Sequence, residues 1–361
     1  MKAAVLYERR KPLVIEDLEM VAAGPGEVEI ELVASGVCHS DLHHVNRDTP
    51  TVLPVVLGHE GAGIVKSVGP NVTRVKPGDH VIIAFGSKCG ECFYCVRGMP
   101  YLCTPANPAR PRLSKGGKTI NQFLEVATYA ERTVVSEKNV VKVRDDAPLA
   151  ICSLVACGVT TGWGSSVYAA GTRAGETVVI YGTGGVGMNA VQGAAYAGAK
   201  HVVAVDPNPY KQEMAGKFGA TFTTGDPAEA LEYVRDVTRG EGADHAVITI
   251  GVMAADVLRN AVEVIGKGGS VVVTAVGGGP DNHTIAINGS PVTGWHKNIQ
   301  GSLFGGANPL YDMPRLLGLW RAGQLKLEEL ITNRYRLDDI NQGYKDMLEG
   351  RNIRGVLIHE H

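Results

Sequence analysis

From about residue 175 onward, short apolar runs alternate with segments of helical period, and this constrains the fold more than any other feature of the chain. The runs are ETVVIYG, HVVAVD, DHAVITIG, GSVVVTAVG and KNIQGSLFG. Between most of them lie helical candidates: GMNAVQGAAYAG, YKQEMAGKFG, PAEALEYVRDVTR and AADVLRNAVEVIGKG. Apolar strands alternating with helices predict a doubly wound parallel sheet covered on both faces. The first strand-to-helix turn reads YGTGGVGMN, so Gly182, Gly184 and Gly187 satisfy G-x-G-x-x-G, with Gly185 and Val186 inside the loop. In such a loop the first glycine permits a tight turn and the second lets backbone approach a pyrophosphate. The third lets helix and strand pack closely, and the helix amides face the phosphates. Asp206 ends the next strand, nineteen residues beyond Gly187. A carboxylate there accepts from both ribose hydroxyls and repels a 2′-phosphate, which points to NAD rather than NADP. Lys211 could also reach the ribose, although an exposed helix lysine is the plainer reading.

The first 150 residues read differently. EVEIELVASG, GAGIVKSVG, KPGDHVIIAFG and YAERTVVSEKNVVKV are short β-type runs between glycine and proline turns, the pattern of a barrel-like or sandwich domain. TPANPARPRLSKGGKTINQF, after Cys103, reads as an exposed loop, and RNIRGVLIHEH as a terminal strand. At 361 residues the chain exceeds the usual size of one core, so two domains are expected. A net charge of −2 gives no electrostatic footing for nucleic acid or an anionic membrane as partner. No apolar stretch is long enough to span a bilayer, and MKAAVLYERRKP offers no signal-peptide core, so a cytoplasmic protein is expected.

Seven cysteines, an odd number without a secretory signal, argue for thiolate ligands rather than a disulfide framework. Cys89, Cys92, Cys95 and Cys103 follow C-x2-C-x2-C-x7-C. Four thiolates so close can complete a tetrahedral shell with no open position, the mark of structural zinc; an iron–sulfur cluster is the competing use. Cys38 in VASGVCHSDLHH, His59 in GHEGAGIV and Cys157 in LVACGVTTGWG would together give two sulfurs and one imidazole. Three protein ligands leave one coordination position for water or substrate, which is a catalytic zinc pattern. Cys152 is left as a core residue.

GVCHSDLH, GHEGAGIV, the four-cysteine segment, ACGVTTGWG and GTGGVG occur in the order of the zinc-dependent medium-chain alcohol dehydrogenases, and the chain resembles that family from end to end, including IRGVLI. GVTTGWGSSVYAAG and GMNAVQGAAYAGAKHVVAVDP, with a lysine soon after, look most like an actinobacterial branch whose members often hold nicotinamide cofactor tightly and are assayed with artificial electron acceptors. The resemblance implies a GroES-like β catalytic domain built from residues 1–158 and 304–361, with a Rossmann domain inserted at 159–303. It implies catalytic zinc at Cys38, His59 and Cys157, with Asp41 orienting the ligand histidine and Glu60 behind the metal, able to exchange as a ligand. Arg354 matches a pyrophosphate-contacting arginine, and His39 a position often held by a phosphate-binding basic residue. Thr161 and Val186 match positions that pack against nicotinamide. A homodimer or homotetramer is the family habit and the base expectation.

The expected activity is reversible hydride transfer between a primary or secondary alcohol and NAD, in a chain carrying one catalytic and one structural zinc. Ser40, two residues from Cys38, is placed to accept the alcohol proton, and His43 to deliver it to solvent. His44 reads as surface. Three rivals differ in class. A zinc-free quinone or enoyl reductase of the same fold would lack the ligand trio. A formaldehyde dehydrogenase acting on a glutathione adduct would need a carboxylate pair that HVNRDTPTVLPVV does not show. A zinc-stabilised nucleic-acid-binding protein is disfavoured by the near-neutral charge.

Overall fold

The longest strand, Glu27–Val37, carries the alternation its sequence predicts. Val28, Ile30 and Leu32 enter a core shared with Val65, Val81, Ile83 and Val135. Glu29 and Glu31 point the other way, to Arg132 and Lys66. The computed structural model describes residues 1–46, 50–86, 88–104, 109–276 and 286–360. They fall into two units: Met1–Cys157 with Asn308–Gly323 and Leu327–His361, and Gly158–Ala307 with Gln324–Lys326.

In the first unit Glu27–Val37 pairs antiparallel with Gly61–Val68, with Arg132–Ser136 and, near its end, with Arg354–Ile358. Gly355 faces Val37 and Gly61 faces Ser35, so three strands converge on the segment just before Cys38. A second, six-stranded sheet is built around Lys2–Leu6, which pairs with Val14–Asp17 and Val55–Val56. The stretch after Cys103 corrects the loop expectation in part. Leu113–Lys115 and Lys118–Gln122 form an antiparallel hairpin joined by Gly116 and Gly117, at φ 54° and 75°. Those left-handed values suit glycine and make a two-residue hairpin turn possible. Leu113 and Ile120 are buried in the sheet, while residues 105–108 lie outside the described residues.

The second unit is a six-stranded parallel sheet in the order 222–224, 201–205, 177–181, 243–248, 265–273, 298–301. Every residue of the central strand Thr177–Tyr181 is buried, as a strand covered on both faces must be. Strand order reverses direction beside this strand, which puts the topological switch point at its carboxyl end. Helices Gly185–Tyr196, Pro209–Lys217, Pro227–Val237 and Ala255–Val264 occupy the predicted segments. Asn208 and Asp226 cap two of them by accepting from Tyr210 N and Ala228 N, each followed by proline at the first helical position. Among the described residues no single helix is long and apolar enough to cross a membrane.

Candidate metal and nucleotide sites

Strand pairing brings together residues far apart in sequence. Cys38 directly follows Glu27–Val37, and His59 and Glu60 directly precede Gly61–Val68. The Gly36 amide donates to the Glu60 carbonyl at 2.9 Å. Cys157 arrives just beyond the helix Leu149–Val155. One donor atom from each of Cys38, His59, Glu60 and Cys157 lies within 4.8 Å of the others, and all four residues are buried. Two sulfurs and an imidazole are a donor set for zinc, not for the hard cations that prefer all-oxygen cages. The Cys157 thiol and His59 hold the Cys38 thiol well below its ordinary range, while Cys157, as the donor to Cys38, is pushed up. Burial alone would lower His59, but the Asp41 carboxylate overrides it and raises the imidazole well above its ordinary value. Cys152 stands outside the cluster, its thiol pushed up to about 12 by burial.

Asp41 lies on the helix His39–Asn46 with no exposed surface. Its Oδ1 accepts from the Gly58 amide at 2.8 Å and from His59 Nδ1 at 3.1 Å. With Nδ1 committed, the other ring nitrogen is the one available to a metal. The Tyr129 hydroxyl donates to Oδ2 at 2.9 Å, a contact the sequence did not reveal, because VATYAERTVV reads as an ordinary strand approach. Phe85 and Phe123 set their rings edge-on to His59, with centroids at 5.3 and 5.7 Å.

Glu60 is paired with Arg354, and burial pushes its carboxyl up to about 7 in spite of that neighbour. Arg354 is buried and reaches the Val37 carbonyl at 3.4 Å with Nη2, while its Nε meets no hydrogen-bond partner among the described residues. On the helix, His39 is exposed, Ser40 is half-buried and His43 is buried, one turn beyond Ser40. His43 therefore does not itself face solvent; its ring centroid lies 6.4 Å from that of His39. His44 is likewise not simply surface: it is half-buried, hydrogen-bonded to Thr51, with its ring against Phe123. Apolar residues Leu42 and Val45 draw this short helix into the core, and His43 and His44 are covered with it.

The four-cysteine segment forms a separate cluster. Cys89 Sγ lies 3.5 Å from Cys103 Sγ and 4.0 Å from Cys95 Sγ, and Cys92 Sγ lies 3.9 Å from Cys103 Sγ. Zinc–sulfur bonds in a tetrahedron give sulfur separations of about 3.8 Å, so this set fits one zinc. Sulfurs so close leave room for a single ion and not for a multi-iron cluster. Amides of Cys95 and Thr104 hold the Cys92 thiol down to about 6, which favours the thiolate a metal needs.

In the second unit each glycine of the loop has its own reason. Gly182 has φ 85°, and a Cβ on Gly187 would stand 1.9 Å from the Gly182 carbonyl oxygen. A Cβ on Gly184 would meet nothing within 4 Å, and the helix that starts at Gly185 has no side-chain cap. Open space before uncapped helix amides is a cradle that fits a pyrophosphate. Asp206 Oδ2 accepts from the Thr183 amide at 2.7 Å and Oδ1 from the Asn208 amide at 3.0 Å, so this carboxylate also ties two loops together. The Thr183 hydroxyl is buried and meets no hydrogen-bond partner among the described residues. A Cβ on Gly162 would lie 2.0 Å from the Val186 carbonyl oxygen, so the helix that carries Thr161 presses against the glycine loop. Lys211, on the helix Pro209–Lys217, is half-buried.

A parallel nucleotide-type sheet in one unit, and in the other a β fold that carries a buried Cys–His cluster and a four-cysteine lobe, describe a metal-dependent dehydrogenase. Residues 24–145 match the alcohol dehydrogenase GroES-like domain family, and residues 185–320 the zinc-binding dehydrogenase family. The chain is 47% identical to an NDMA-dependent alcohol dehydrogenase of Amycolatopsis methanolica, over 99% of this chain and 98% of the relative. It is 48% identical to putative alcohol dehydrogenase D of Mycobacterium tuberculosis, over 99% of both. Among solved structures, an alcohol dehydrogenase zinc-binding domain protein from Burkholderia ambifaria superposes with a TM-score of 0.92 at 30% identity, covering 100% of this chain and 99% of the other. The chain belongs to the zinc-dependent medium-chain alcohol dehydrogenase family, in its actinobacterial branch.

Proposed function

We propose that the protein is an alcohol dehydrogenase that interconverts a primary or secondary alcohol and its aldehyde or ketone, using NAD and two zinc ions per chain, and that it works as a homodimer or homotetramer. The observation that carries this reading is the buried cluster of Cys38, His59 and Cys157 with Glu60. Cys38, His59 and Cys157 would hold the catalytic zinc, with Glu60 placed to exchange as a ligand; Cys89, Cys92, Cys95 and Cys103 would hold the structural one. The loop 182–187 and Asp206 would hold NAD, with Thr161 and Val186 beside nicotinamide and Lys211 near the ribose. Arg354 and His39 are the basic residues that the family resemblance assigns to its phosphates. Bound zinc supplies Lewis acidity that lowers the pKa of an alcohol, and bound NAD supplies the hydride acceptor.

The chain's own groups do the rest. Asp41 keeps His59 in one tautomer and one orientation. Ser40 Oγ accepts the substrate hydroxyl proton, and His43, one turn further along the same helix face, carries it onward. Phe85 and Phe123 wall the imidazole with apolar surface that keeps water away.

A second reading concerns the electron acceptor. The likeness to an NDMA-dependent enzyme supports a tightly held nicotinamide cofactor that is reoxidised in place by an external acceptor. One experiment tests both. Purified protein is mixed with a panel of primary alcohols, with and without added NAD and with and without an artificial electron acceptor, and reduced-nicotinamide absorbance is followed. Sustained NAD-dependent reduction marks a dissociating cofactor. A single stoichiometric burst, with turnover only when the acceptor is added, marks a resident one. No reduction under any of these conditions, in protein carrying two zinc ions, would overturn the proposal.

A further inference from the structure

We infer that Tyr129 is a positioning residue for the catalytic metal site, its phenol fixing Asp41 so that Asp41 in turn fixes His59. The inference rests on the proposed zinc at Cys38, His59 and Cys157. Asp41 Oδ1 takes the Gly58 amide, and both carboxylate oxygens lie 3.1 Å from His59 Nδ1. Oδ2 takes the Tyr129 hydroxyl at 2.9 Å, nearer than the Gly36 carbonyl that the same hydroxyl meets at 3.3 Å. Tyr129 and Asp41 have no exposed surface. Without the phenol, Oδ2 would lose this donor in a place closed to bulk water. The torsion that rotates an aspartate carboxylate is broad, so the plane facing His59 is set by such bonds rather than by rotamer preference. A phenylalanine would fill the same apolar space, and only the hydroxyl is needed for the bond to Asp41.

The segment that carries Tyr129 is shaped for this contact. Leu124, Glu125 and Ala127 hold φ of 48°, 66° and 50°, left-handed values that non-glycine residues adopt at a cost and keep only when their surroundings impose them. Those surroundings are visible: Thr128 Oγ1 meets Ser35 Oγ at 2.6 Å, Thr128 N donates to Gly58 O, and Tyr129 N donates to Leu57 O. Gly58, at φ 87°, leaves the room, since a Cβ there would stand 2.5 Å from both Tyr129 N and Cδ1. Phe123 opens the same segment and sets its ring edge-on to His59 at 5.7 Å. One strained segment thus reaches the metal histidine from two sides, through a ring at one end and through Tyr129 and Asp41 at the other.

The test uses the zinc-loaded full chain. Protein is exposed to excess chelator, pulses of iodoacetamide label thiols as they lose metal, and peptide mass spectrometry gives a rate for each cysteine. Tyr129→Phe is expected to speed labelling of Cys38 and Cys157 by about tenfold, the low end for outer-shell partners of a metal ligand. Cys89, Cys92, Cys95 and Cys103 should keep their wild-type rate and serve as the reference within the same molecule. Tyr335→Phe deletes a hydroxyl that donates to Asp346 at 2.7 Å, a carboxylate outside both cysteine clusters, and should leave both sets unchanged. In the Asp41→Asn background, Tyr129→Phe should add no further acceleration, because the two act as one chain. Unchanged rates at Cys38 and Cys157, equal acceleration of both cysteine sets, or additive acceleration in the double variant would each overturn the inference. Failure of the underlying zinc assignment looks different: wild-type Cys38 and Cys157 would then label equally fast with and without chelator.

Discussion

Gly36 lies in paired strand, opposite Val356, where glycine usually weakens the structure, and the reason is a buried ion pair. A Cβ at this position would stand 1.9 Å from Glu60 Oε2 and 2.9 Å from Arg354 Nη2. Neither partner has room to withdraw, since Glu60 has no exposed surface and Arg354 is 5% exposed. Gly36→Ala should therefore separate the pair and leave two imperfectly compensated charges inside the fold, a loss of about 3 kcal/mol. The urea midpoint of the zinc-loaded variant reads this directly. A shift worth less than about 0.5 kcal/mol, the range of surface substitutions, would show that the pair yields without cost. The sequence VASGVC does not disclose this role, because Glu60 and Arg354 come from positions 24 and 318 residues further along. Local pattern places a glycine near the end of a strand; only strand pairing shows what it makes room for.

At the scale of elements, the start of Glu27–Val37 is locked to the segment before the hairpin by Glu27. Arg110 Nε donates to its Oε2 and Arg112 Nε to its Oε1, each at 3.0 Å, and the Gly24 amide adds a bond at 2.9 Å. Burial raises the Glu27 carboxyl, but these donors together outweigh burial and hold it below the usual range. A carboxylate with a folded pKa below its unfolded value of about 4.3 contributes stability that is fully present above that pH and disappears as pH falls through the folded value. Glu27→Gln should therefore cost about 2 kcal/mol at pH 6, and the gap from wild type should narrow as pH falls below about 4.3. Urea titrations of both proteins at equal zinc content, at pH 6 and pH 3.5, measure it; a gap independent of pH would mean that the charge of Glu27 does not matter.

The same region marks how far elements were legible in the sequence. Alternating strands and helices after residue 175 could be read directly, because their periods are local and apolar content decides them. SKGGKT could have been read as a hairpin turn from its paired glycines, yet the prolines and basic residues around it suggested a loop. Arg112 was part of that error, being 4% exposed and held by Glu27. Tyr129 was beyond reach for another reason: its importance comes from Asp41, 88 residues away, and a tyrosine in a strand-like run carries no mark of what its hydroxyl will meet.

At the scale of the molecule, the two units carry different candidate sites, and this has a measurable consequence. Every donor of both cysteine-containing clusters belongs to the unit formed by Met1–Cys157 with the C-terminal segments, whereas the glycine loop and Asp206 belong to Gly158–Ala307. Each unit also has its own buried core, Val28–Ile30–Leu32 with neighbours in one and Val179–Val203–Ala246 with neighbours in the other. Metal binding adds to the folding free energy of the element that supplies the ligands. The four-cysteine lobe depends on it most, since Phe93 and Val96 are 64% and 66% exposed and provide little apolar packing. Amide exchange reports such local stability peptide by peptide. After zinc is stripped, exchange should rise in residues 36–46, 55–61, 89–104 and 149–157. The strands Thr177–Tyr181, His201–Val205 and Ala243–Ile248 should keep their protection, because none of their bonds depends on a metal ligand. Loss of protection in those three strands on zinc removal would show that the parallel sheet draws its stability from the metal-bearing unit, against the separation of cores and donors seen here.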